Sequence, residues 1–250
     1  MVYTLCVLVG IALSFAARTL ITDEAEPPIP HGPALTLIAL IGAAGGAFVF
    51  EAPADFFGWT GGIAGEPALV HGLGGRTVLG GLLGGWIAVE AGKRGLGITQ
   101  PTGDGFALPL AIGLACGRMG CFFTGCCAGR VSSGHDWWSG LALSGHDGLP
   151  RFPAQLTEVA FHVSAAIALI ALTRAHSLRH RRFAVYVAVY AVVRFAIEGV
   201  RDNPPLVLGM TYYQLLAIPL FVLEATTVIL RTVSSRAGAG GTAATSVVRL

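Results

Sequence analysis

Four charged residues lie within, or at the end of, segments that are otherwise almost entirely apolar: Arg118, Arg194, Glu198 and Arg201. A charge at the centre of a bilayer costs at least about 2.5–3.5 kcal/mol on insertion scales, so such residues face the interior of a helix bundle and usually mark a substrate or ion path. Arg194, Glu198 and Arg201 are spaced i, i+4, i+7. This spacing predicts that all three lie on one face of a helix.

Arg118 and Arg194 belong to two separate apolar segments, and we expect them to share one pocket open to lipid. A planar guanidinium group binds two phosphate oxygens at once, so two such groups around one cavity suit a phosphate. A phospholipid head group is the phosphate available at this depth. The alternative is an ion pair between Arg194 and Glu198 that only fixes helix packing, which would leave Arg118 in need of its own anion. The sequence favours a functional role for the two arginines and leaves the role of Glu198 open.

The composition indicates that lipid is the solvent for much of the chain. Of the 250 residues, 54% are hydrophobic and only 12% are charged, and the mean hydropathy is +0.69. Soluble domains usually carry about 25% charged residues, twice the content found here. The net charge of +2 is too small to indicate a nucleic-acid partner. The length suits one bundle rather than two domains.

Apolar segments that approach the length of a bilayer crossing recur along the chain. The hydrocarbon core needs about 20 apolar residues per helix. We therefore predict an all-α integral membrane protein with about seven transmembrane helices in one bundle. The predicted segments are 2–21, 34–50, 72–91, 105–123, 153–173, 183–200 and 208–230.

Lysine and arginine residues near the segment ends predict the orientation, because cytoplasmic connections carry an excess of them. With the N-terminus outside, ten of these residues fall in the inner connections and four in the outer ones. This favours an outer N-terminus and a cytoplasmic C-terminus, and it places Arg118 and Arg194 in the middle to outer part of the membrane. Residues 1–236 would form the membrane domain, and the small, polar residues 237–250 a disordered cytoplasmic tail.

Three of the five cysteines crowd together where the fourth segment ends. Cys121, Cys126 and Cys127 lie within seven residues, in the sequence GRMGCFFTGCCAG. No histidine lies at close ligand spacing, and the pattern matches no common zinc spacing. Three interpretations stay open: small packing residues, a disulfide or redox group at an oxidising outer face, or metal ligands or a nucleophile.

A glycine-rich stretch, HGLGGRTVLGGLLGG at residues 71–85, opens the third segment. Small residues let helix backbones approach closely, so the spacing favours tight helix packing over a backbone loop that dips into the membrane. Arg76 lies at the outer end of this segment and is a candidate for an additional phosphate contact.

The residues of four blocks resemble the bacterial prolipoprotein diacylglyceryl transferase family, from about Tyr3 to Glu224. Their order and their spacing along the apolar segments carry the resemblance. The blocks are GGRTVLGGLLG at 74–84, GRMGCFFTGCCAGR at 117–130, RFPAQLTE at 151–158, and YAVVRFAIEGVR at 190–201 followed by GMTYYQLLAIP at 209–219.

The resemblance implies a plasma-membrane transferase that moves the diacylglyceryl group of phosphatidylglycerol to the lipobox cysteine thiol of a prolipoprotein signal peptide. Glycerol phosphate leaves, and no cofactor or metal is required. The implied partners are therefore membrane lipid and the signal peptide. The implied catalytic residues are Arg118, Arg194 and Glu198, and the implied substrate-binding residues are Tyr3, Gly129, Tyr190 and Arg201. We also expect Arg76 and Cys121 to bind substrate.

Three positions depart from the family pattern. The family usually has histidine in the glycine-rich block where this chain has Leu79, and that histidine is a candidate base for the attacking thiol. The family signature has asparagine where Cys121 stands and an acidic residue where Cys126 stands. These changes fall on the reactive centre and indicate a divergent, cysteine-containing branch.

Two other functions stay open at this point. The first is a membrane enzyme on the same scaffold that does thiol or redox chemistry at Cys121, Cys126 and Cys127. The second is a protein that binds or transports phospholipid without chemistry, because intramembrane arginines would serve that role equally well.

Overall fold

The computed structural model describes residues 1–20, 31–59 and 77–246. It is mostly helical, at 70%, with little sheet. The helices are α1 (Val2–Leu20), α2 (Gly32–Val49), the short α3 (Ala52–Phe56), α4 (Val78–Gly95), α5 (Asp104–Thr124), α6 (Ala154–Arg174), α7 (Arg182–Glu198) and α8 (Tyr212–Ser246).

Four helical segments within the described residues are long and apolar enough to cross a membrane: Gly32–Phe56, Asp104–Thr124, Ala154–Arg174 and Tyr212–Ser235. Helix α1 contains a shorter apolar stretch, Val2–Ala17. Helix α4 carries charge near its C-terminal end, and α7 is only 17 residues long and contains buried charges. Each predicted apolar segment overlaps a long helix, but the bundle of seven spans stays a prediction.

The predicted domain boundary lies inside a helix. Helix α8 runs as far as Ser246, so it includes most of the residues that we expected to form a tail. Residues 247–250 lie outside the described part of the chain. The division at residue 236 stays a prediction.

Helices α2 and α4 pack through glycines. A Cβ atom added at Gly46 would lie 2.4 Å from the carbonyl oxygen of Gly80 and 2.6 Å from Cα of Gly84. One added at Gly84 would lie 2.4 Å from the carbonyl oxygen of Gly42. Such distances leave no room for a side chain, so the two backbones are in direct contact. The prediction of close packing by the glycine-rich stretch is confirmed for Gly80 and Gly84.

The main apolar core lies where α4, α5, α7 and α8 meet. Its buried members include Leu79, Leu108, Val187, Tyr213 and Leu220. Many large apolar side chains on the outward faces of the helices are exposed instead, which fits a lipid rather than a water environment. Leu79 is among these core residues and is 1% exposed.

Between α5 and α6, a short folded loop covers one end of the bundle. It contains a 3₁₀ turn (Ser139–Leu141) and the antiparallel strands β1 (Leu143–Ser144) and β2 (Pro150–Arg151). Trp138 is fully buried, and its ring packs edge-on against Phe152 at 5.4 Å. A second pair of strands, β3 (Pro205–Val207) and β4 (Met210–Thr211), joins α7 to α8. The loop contacts the end of α7, where the buried charges lie.

Candidate active site

Arg118 of α5 is paired with a carboxylate from the next helix. Its Nε lies 2.8 Å from Oε2 of Glu158 on α6, and Glu158 is 0% exposed. The approach lacks hydrogen-bond geometry, so the contact is an ion pair by distance. A buried charge without a partner is costly, and Glu158 is the anion that Arg118 requires.

A tyrosine from α7 shares the same carboxylate oxygen. The hydroxyl of Tyr190 donates to Oε2 of Glu158 at 3.0 Å, and the Tyr190 side chain is fully buried. Tyr190 lies one turn before Arg194 on α7. Glu158 therefore connects α5, α6 and α7 at one point of the interior.

Arg194 and Glu198 form a buried ion pair within the last turns of α7. Helix α7 ends at Glu198, and the chain then turns so that Nε of Arg201 lies 3.7 Å from Oε2 of Glu198. Asn203 donates to the other oxygen, Oε1. The prediction that all three lie on one helix face is confirmed for Arg194 and Glu198. It is wrong for Arg201, because the helix ends at Glu198 and Arg201 reaches that carboxylate from the turn that follows.

The two arginine–carboxylate pairs belong to one electrostatic network. The charge of Glu158 interacts with Arg118, Arg194 and Arg201. Arg194 in turn interacts with both Glu158 and Arg118. A guanidinium group has five N–H donors, so a single carboxylate contact does not exhaust its capacity to bind another anion.

A further carboxylate approaches from the α2–α3 junction. Glu51 accepts a hydrogen bond of 2.5 Å from the hydroxyl of Tyr213 on α8. The Arg194 guanidinium lies over the ring of that tyrosine, 5.6 Å from its centroid. Tyr213 thus links Glu51 to the arginine network through a cation–π contact.

His162 is buried one turn beyond Glu158 on α6. Its Nδ1 lies 2.9 Å from the hydroxyl of Tyr186, and its ring centroid lies 4.8 Å from that of Tyr190. Its Nε2 is buried without a hydrogen-bond partner among the described residues. One ring nitrogen of this buried histidine is therefore left without a hydrogen bond to the described residues.

The three cysteines whose role the sequence leaves open lie beside these charges. The Sγ atoms of Cys121, Cys126 and Cys127 all lie within 4.8 Å of one another. The pKa of the Cys127 thiol is lowered from its ordinary value because the Cys121 and Cys126 thiols donate to it, and Arg201 and Arg118 add positive charge. Cys121 thus lies next to Arg118 and within a thiol cluster.

The remaining predicted substrate-binding residues have different positions. Gly129 packs between the segment before α6 and the segment after α7. Its N–H donates to the carbonyl of Phe152, and an added Cβ would lie 2.8 Å from the carbonyl oxygen of Val200. Tyr3 is exposed at the start of α1 and packs across Gly120 of α5, within electrostatic range of Arg118. Arg76 lies outside the described residues.

Several polar residues of the network are absent from the sequence prediction, namely Glu51, Glu158, His162, Asn203 and Tyr213. For two of these residues, Glu158 and His162, the sequence does contain a signal. Glu158 and His162 are spaced i, i+4 within an apolar segment, and ionisable residues in such segments are candidate functional residues by default.

The arginines of the network line neither of two cavities in the described part of the chain. One of about 430 Å³ lies under the α5–α6 loop, where Phe122, His146 and Gln155 contribute to its wall. The other, of about 500 Å³, is mainly apolar and lies between the helices that include α2, α4 and α5, with Glu90 and Glu224 in its wall. Neither is lined by Arg118 or Arg194, so the predicted pocket shared by the two arginines stays a prediction.

The long helices are apolar and expose large apolar side chains, and they enclose a buried network of arginines and carboxylates. These features define a helical membrane protein with charge in its interior. Within that class, the chain belongs to the family described as prolipoprotein diacylglyceryl transferase, whose family model matches residues 1–230. The resemblance inferred from the four blocks is thereby confirmed.

Three relatives, each named phosphatidylglycerol–prolipoprotein diacylglyceryl transferase, illustrate the similarity. The protein of Aromatoleum aromaticum is 33% identical over 197 residues, which cover 74% of this chain and 70% of the relative. That of Geobacter sulfurreducens is 33% identical, with 63% and 62% covered, and that of Oleidesulfovibrio alaskensis is 35% identical, with 60% and 57% covered. The matches to the last two therefore span less than two thirds of those relatives.

Proposed function

We propose that this protein is a phosphatidylglycerol–prolipoprotein diacylglyceryl transferase, whose acceptor is the lipobox cysteine thiol of a signal peptide. The observation that carries the proposal is the joint network of Arg118 and Arg194, held by Glu158 and Glu198, in a chain of this family. Two guanidinium groups from separate helices provide the positive charge that a lipid phosphate requires in a medium with few other counter-ions.

In the proposed reaction, the acceptor thiolate attacks the glycerol carbon that carries the phosphate ester. A C–S bond forms as the C–O bond breaks, and glycerol phosphate leaves with the bonding electron pair. Arg118 and Arg194 stabilise the charge that develops on the leaving phosphate. Glu198 orients Arg194, and Arg201 attracts the anionic head group. The thiol proton is released to solvent or to a nearby base.

The leucine at position 79 does not forbid this reaction. An ordinary cysteine thiol has a pKa of about 8.5, so removing its proton at pH 7 costs only about 2 kcal/mol. The positive charge of the two arginines lowers that cost further for a thiol bound beside them. A dedicated base at position 79 is therefore not required by the energetics of thiol deprotonation.

The proposal includes the arrangement in the membrane. The seven apolar segments predicted from the sequence would span the bacterial plasma membrane, with the N-terminus outside and the C-terminus cytoplasmic. The distribution of lysine and arginine in the sequence supports this orientation. The α5–α6 loop and the arginine network then lie toward the outer face, where a signal peptide presents its lipobox cysteine.

The test uses the purified full chain in vesicles that contain phosphatidylglycerol, with a synthetic lipobox peptide as acceptor. We expect release of glycerol phosphate and a matching gain of diacylglyceryl mass on the peptide cysteine. The Arg194→Ala variant should be slower by about 100-fold or more, which is the typical cost of removing one group that stabilises a developing oxyanion. Arg194→Lys should recover little of the loss, because a lysine lacks the planar fork.

The matched control is Arg174→Ala, which removes an exposed arginine at the far end of α6. It should leave the rate unchanged. Tight binding of phosphatidylglycerol with no release of glycerol phosphate would favour a lipid-binding protein instead. Equal rates for the wild-type protein and Arg194→Ala would contradict the role of the arginines.

A further inference from the structure

Three cysteine thiols converge at the end of α5. Cys121 is buried in the last turn of the helix, whereas Cys126 and Cys127 follow it and are exposed. Their Sγ atoms all lie within 4.8 Å of one another, and the three cysteines are free thiols rather than a disulfide. The side chains come from positions five and six residues apart, so this convergence depends on the backbone between them.

The backbone holds the cluster through a sharp turn. Gly125 ends α5 in the left-handed region with φ of 72°, and Cys127 adopts a φ of 61°, which is uncommon for a residue with a side chain. The N–H of Cys126 then donates to the carbonyl of Cys121 at 3.1 Å. The chain is thereby folded back so that the later cysteines lie beside the earlier one.

Two side chains from elsewhere in the fold stabilise this turn. Nε2 of Gln155 on α6 donates to the carbonyl of Cys126 at 2.7 Å. Arg201, which follows α7, donates to the carbonyl of Cys127 at 3.3 Å. The thiols are therefore positioned by contacts with two other helices or their ends, and their arrangement is built into the folded protein.

The spacing of the thiols fits a single metal ion. Zinc–sulfur bonds are about 2.3 Å long, so three thiolates around one ion of that size lie about 4 Å from each other. No other histidine, cysteine or carboxylate joins the group among the described residues. Thiolate ligands select soft ions over the hard ions that prefer oxygen. We propose that Cys121, Cys126 and Cys127 form a three-thiolate site for one soft, filled-shell metal cation.

The surrounding charge suits such a complex. Binding of a divalent ion by three thiols forms three metal–sulfur bonds and releases three protons to solvent, which leaves the complex with a net charge of −1. Both Arg118 and Arg201 lie within electrostatic range of Cys127. Their positive charge offsets the excess negative charge of the thiolates, which would otherwise weaken a site of three anions.

Cadmium ion is the probe of choice, because thiolate–cadmium bonds give an ultraviolet charge-transfer absorption and Cd²⁺ is not redox-active. We expect the reduced full chain in detergent micelles to bind one Cd²⁺, with the absorption of three thiolates and release of about three protons. Cys126→Ser and Cys127→Ser should each weaken binding at least tenfold, and the variant that carries both changes should lose the absorption.

The matched control is the double variant Cys6→Ser/Cys116→Ser, which removes the two cysteines at the α1–α5 contact and leaves the cluster intact. It should bind Cd²⁺ as the wild-type protein does. Because Cys126 and Cys127 are exposed, their serine variants should keep the wild-type melting temperature, and this measurement separates loss of ligands from loss of fold.

Three results would overturn the proposal. The first is a wild-type protein that binds no Cd²⁺, and the second is binding that the cluster variants leave unchanged. The third is a disulfide among these cysteines in cells quenched with acid and alkylated, because an oxidised pair cannot supply three thiolates. The readouts require no transferase activity, so failure of this proposal and failure of the proposed function are distinguishable.

Discussion

Nε of Arg118 on α5 lies 2.8 Å from Oε2 of Glu158 on α6, and both side chains are almost completely removed from solvent. Neutralising one member of a buried ion pair leaves the other charge uncompensated, which typically lowers the free energy of unfolding by about 3–5 kcal/mol. We predict that Glu158→Gln destabilises the protein by about that amount. Unfolding by heat or by denaturing detergent in micelles measures the change.

The partly exposed pair Lys93–Glu90 on α4 provides the matched control. Glu90→Gln should cost less than about 1 kcal/mol, because water and salt screen the charges of exposed pairs. The double variant Arg118→Met/Glu158→Met should regain most of the lost stability, since apolar residues of similar size replace the pair, but it should not transfer lipid. A Glu158→Gln variant as stable as the wild-type protein would refute this account of the pair.

The glycine contact between α2 and α4 gives a second prediction. A Cβ atom at Gly46 would lie 2.4 Å from the carbonyl oxygen of Gly80, so Gly46→Ala must push two helix backbones apart. We expect a loss of about 1–3 kcal/mol, as for overpacking elsewhere in protein interiors.

Gly45 on the same helix is the control, because an added Cβ there would meet nothing within 4 Å. Gly45→Ala should be neutral or slightly stabilising, since alanine favours helix more than glycine does. Thermal unfolding followed by circular dichroism compares the two variants. Equal melting temperatures for them would mean that the α2–α4 contact is looser than described.

Contacts between residues close in sequence were predictable, whereas contacts between side chains of different helices were not. The spacing of Arg194 and Glu198 fixes their relative position, because a helix places i and i+4 on one face. The need of Arg118 for an anion was also evident. Its identity was not, because Glu158 lies 40 residues further along and only the packing of α6 on α5 brings the two together.

The thiol cluster illustrates the same limit on a shorter scale. The sequence placed Cys121, Cys126 and Cys127 close along the chain but left packing, redox and ligand roles open. Their convergence depends on the left-handed turn at Gly125 and on the hydrogen bond from Gln155. A turn type can be predicted from glycine, but a contact from another helix cannot.

The loop between α5 and α6 gives a prediction about pH. Arg151 donates to the Asp147 carboxylate at 2.8 Å, and together with the N–H of Leu149 it holds the pKa of that carboxyl below its ordinary value. The contact therefore stabilises the loop fully above the ordinary aspartate pKa of about 3.9, and this contribution is lost as the pH falls through the lowered value.

Arg151→Gln should raise the pKa of Asp147 toward the ordinary aspartate value. Carboxyl ¹³C resonances of protein labelled at aspartate measure this titration in micelles. The control is Asp136, whose pKa is lowered mainly by hydrogen bonds from Ser133, with Arg130 adding to the effect, and which should not respond to Arg151→Gln. An unchanged pKa at Asp147 would contradict the assigned cause.

Gly129 joins the loop to the charge network, and this contact gives the last prediction. An added Cβ would lie 2.6 Å from Cβ of Phe152 and 2.8 Å from the carbonyl oxygen of Val200. Phe152 precedes α6, which carries Glu158, and Val200 follows Glu198 at the end of α7. Gly129→Ala should therefore shift both carboxylates relative to their arginines.

We expect Gly129→Ala to reduce lipid transfer by about 100-fold, because a displacement of about 1 Å in a reacting site has that typical cost. Its stability should fall by only about 1–3 kcal/mol. Gly140→Ala is the matched control, since an added Cβ at Gly140 in the same loop would meet nothing within 4 Å. Measured together, glycerol phosphate release and melting temperature separate the two effects. A Gly129→Ala variant that transfers lipid at the wild-type rate would mean that this contact does not position the carboxylates.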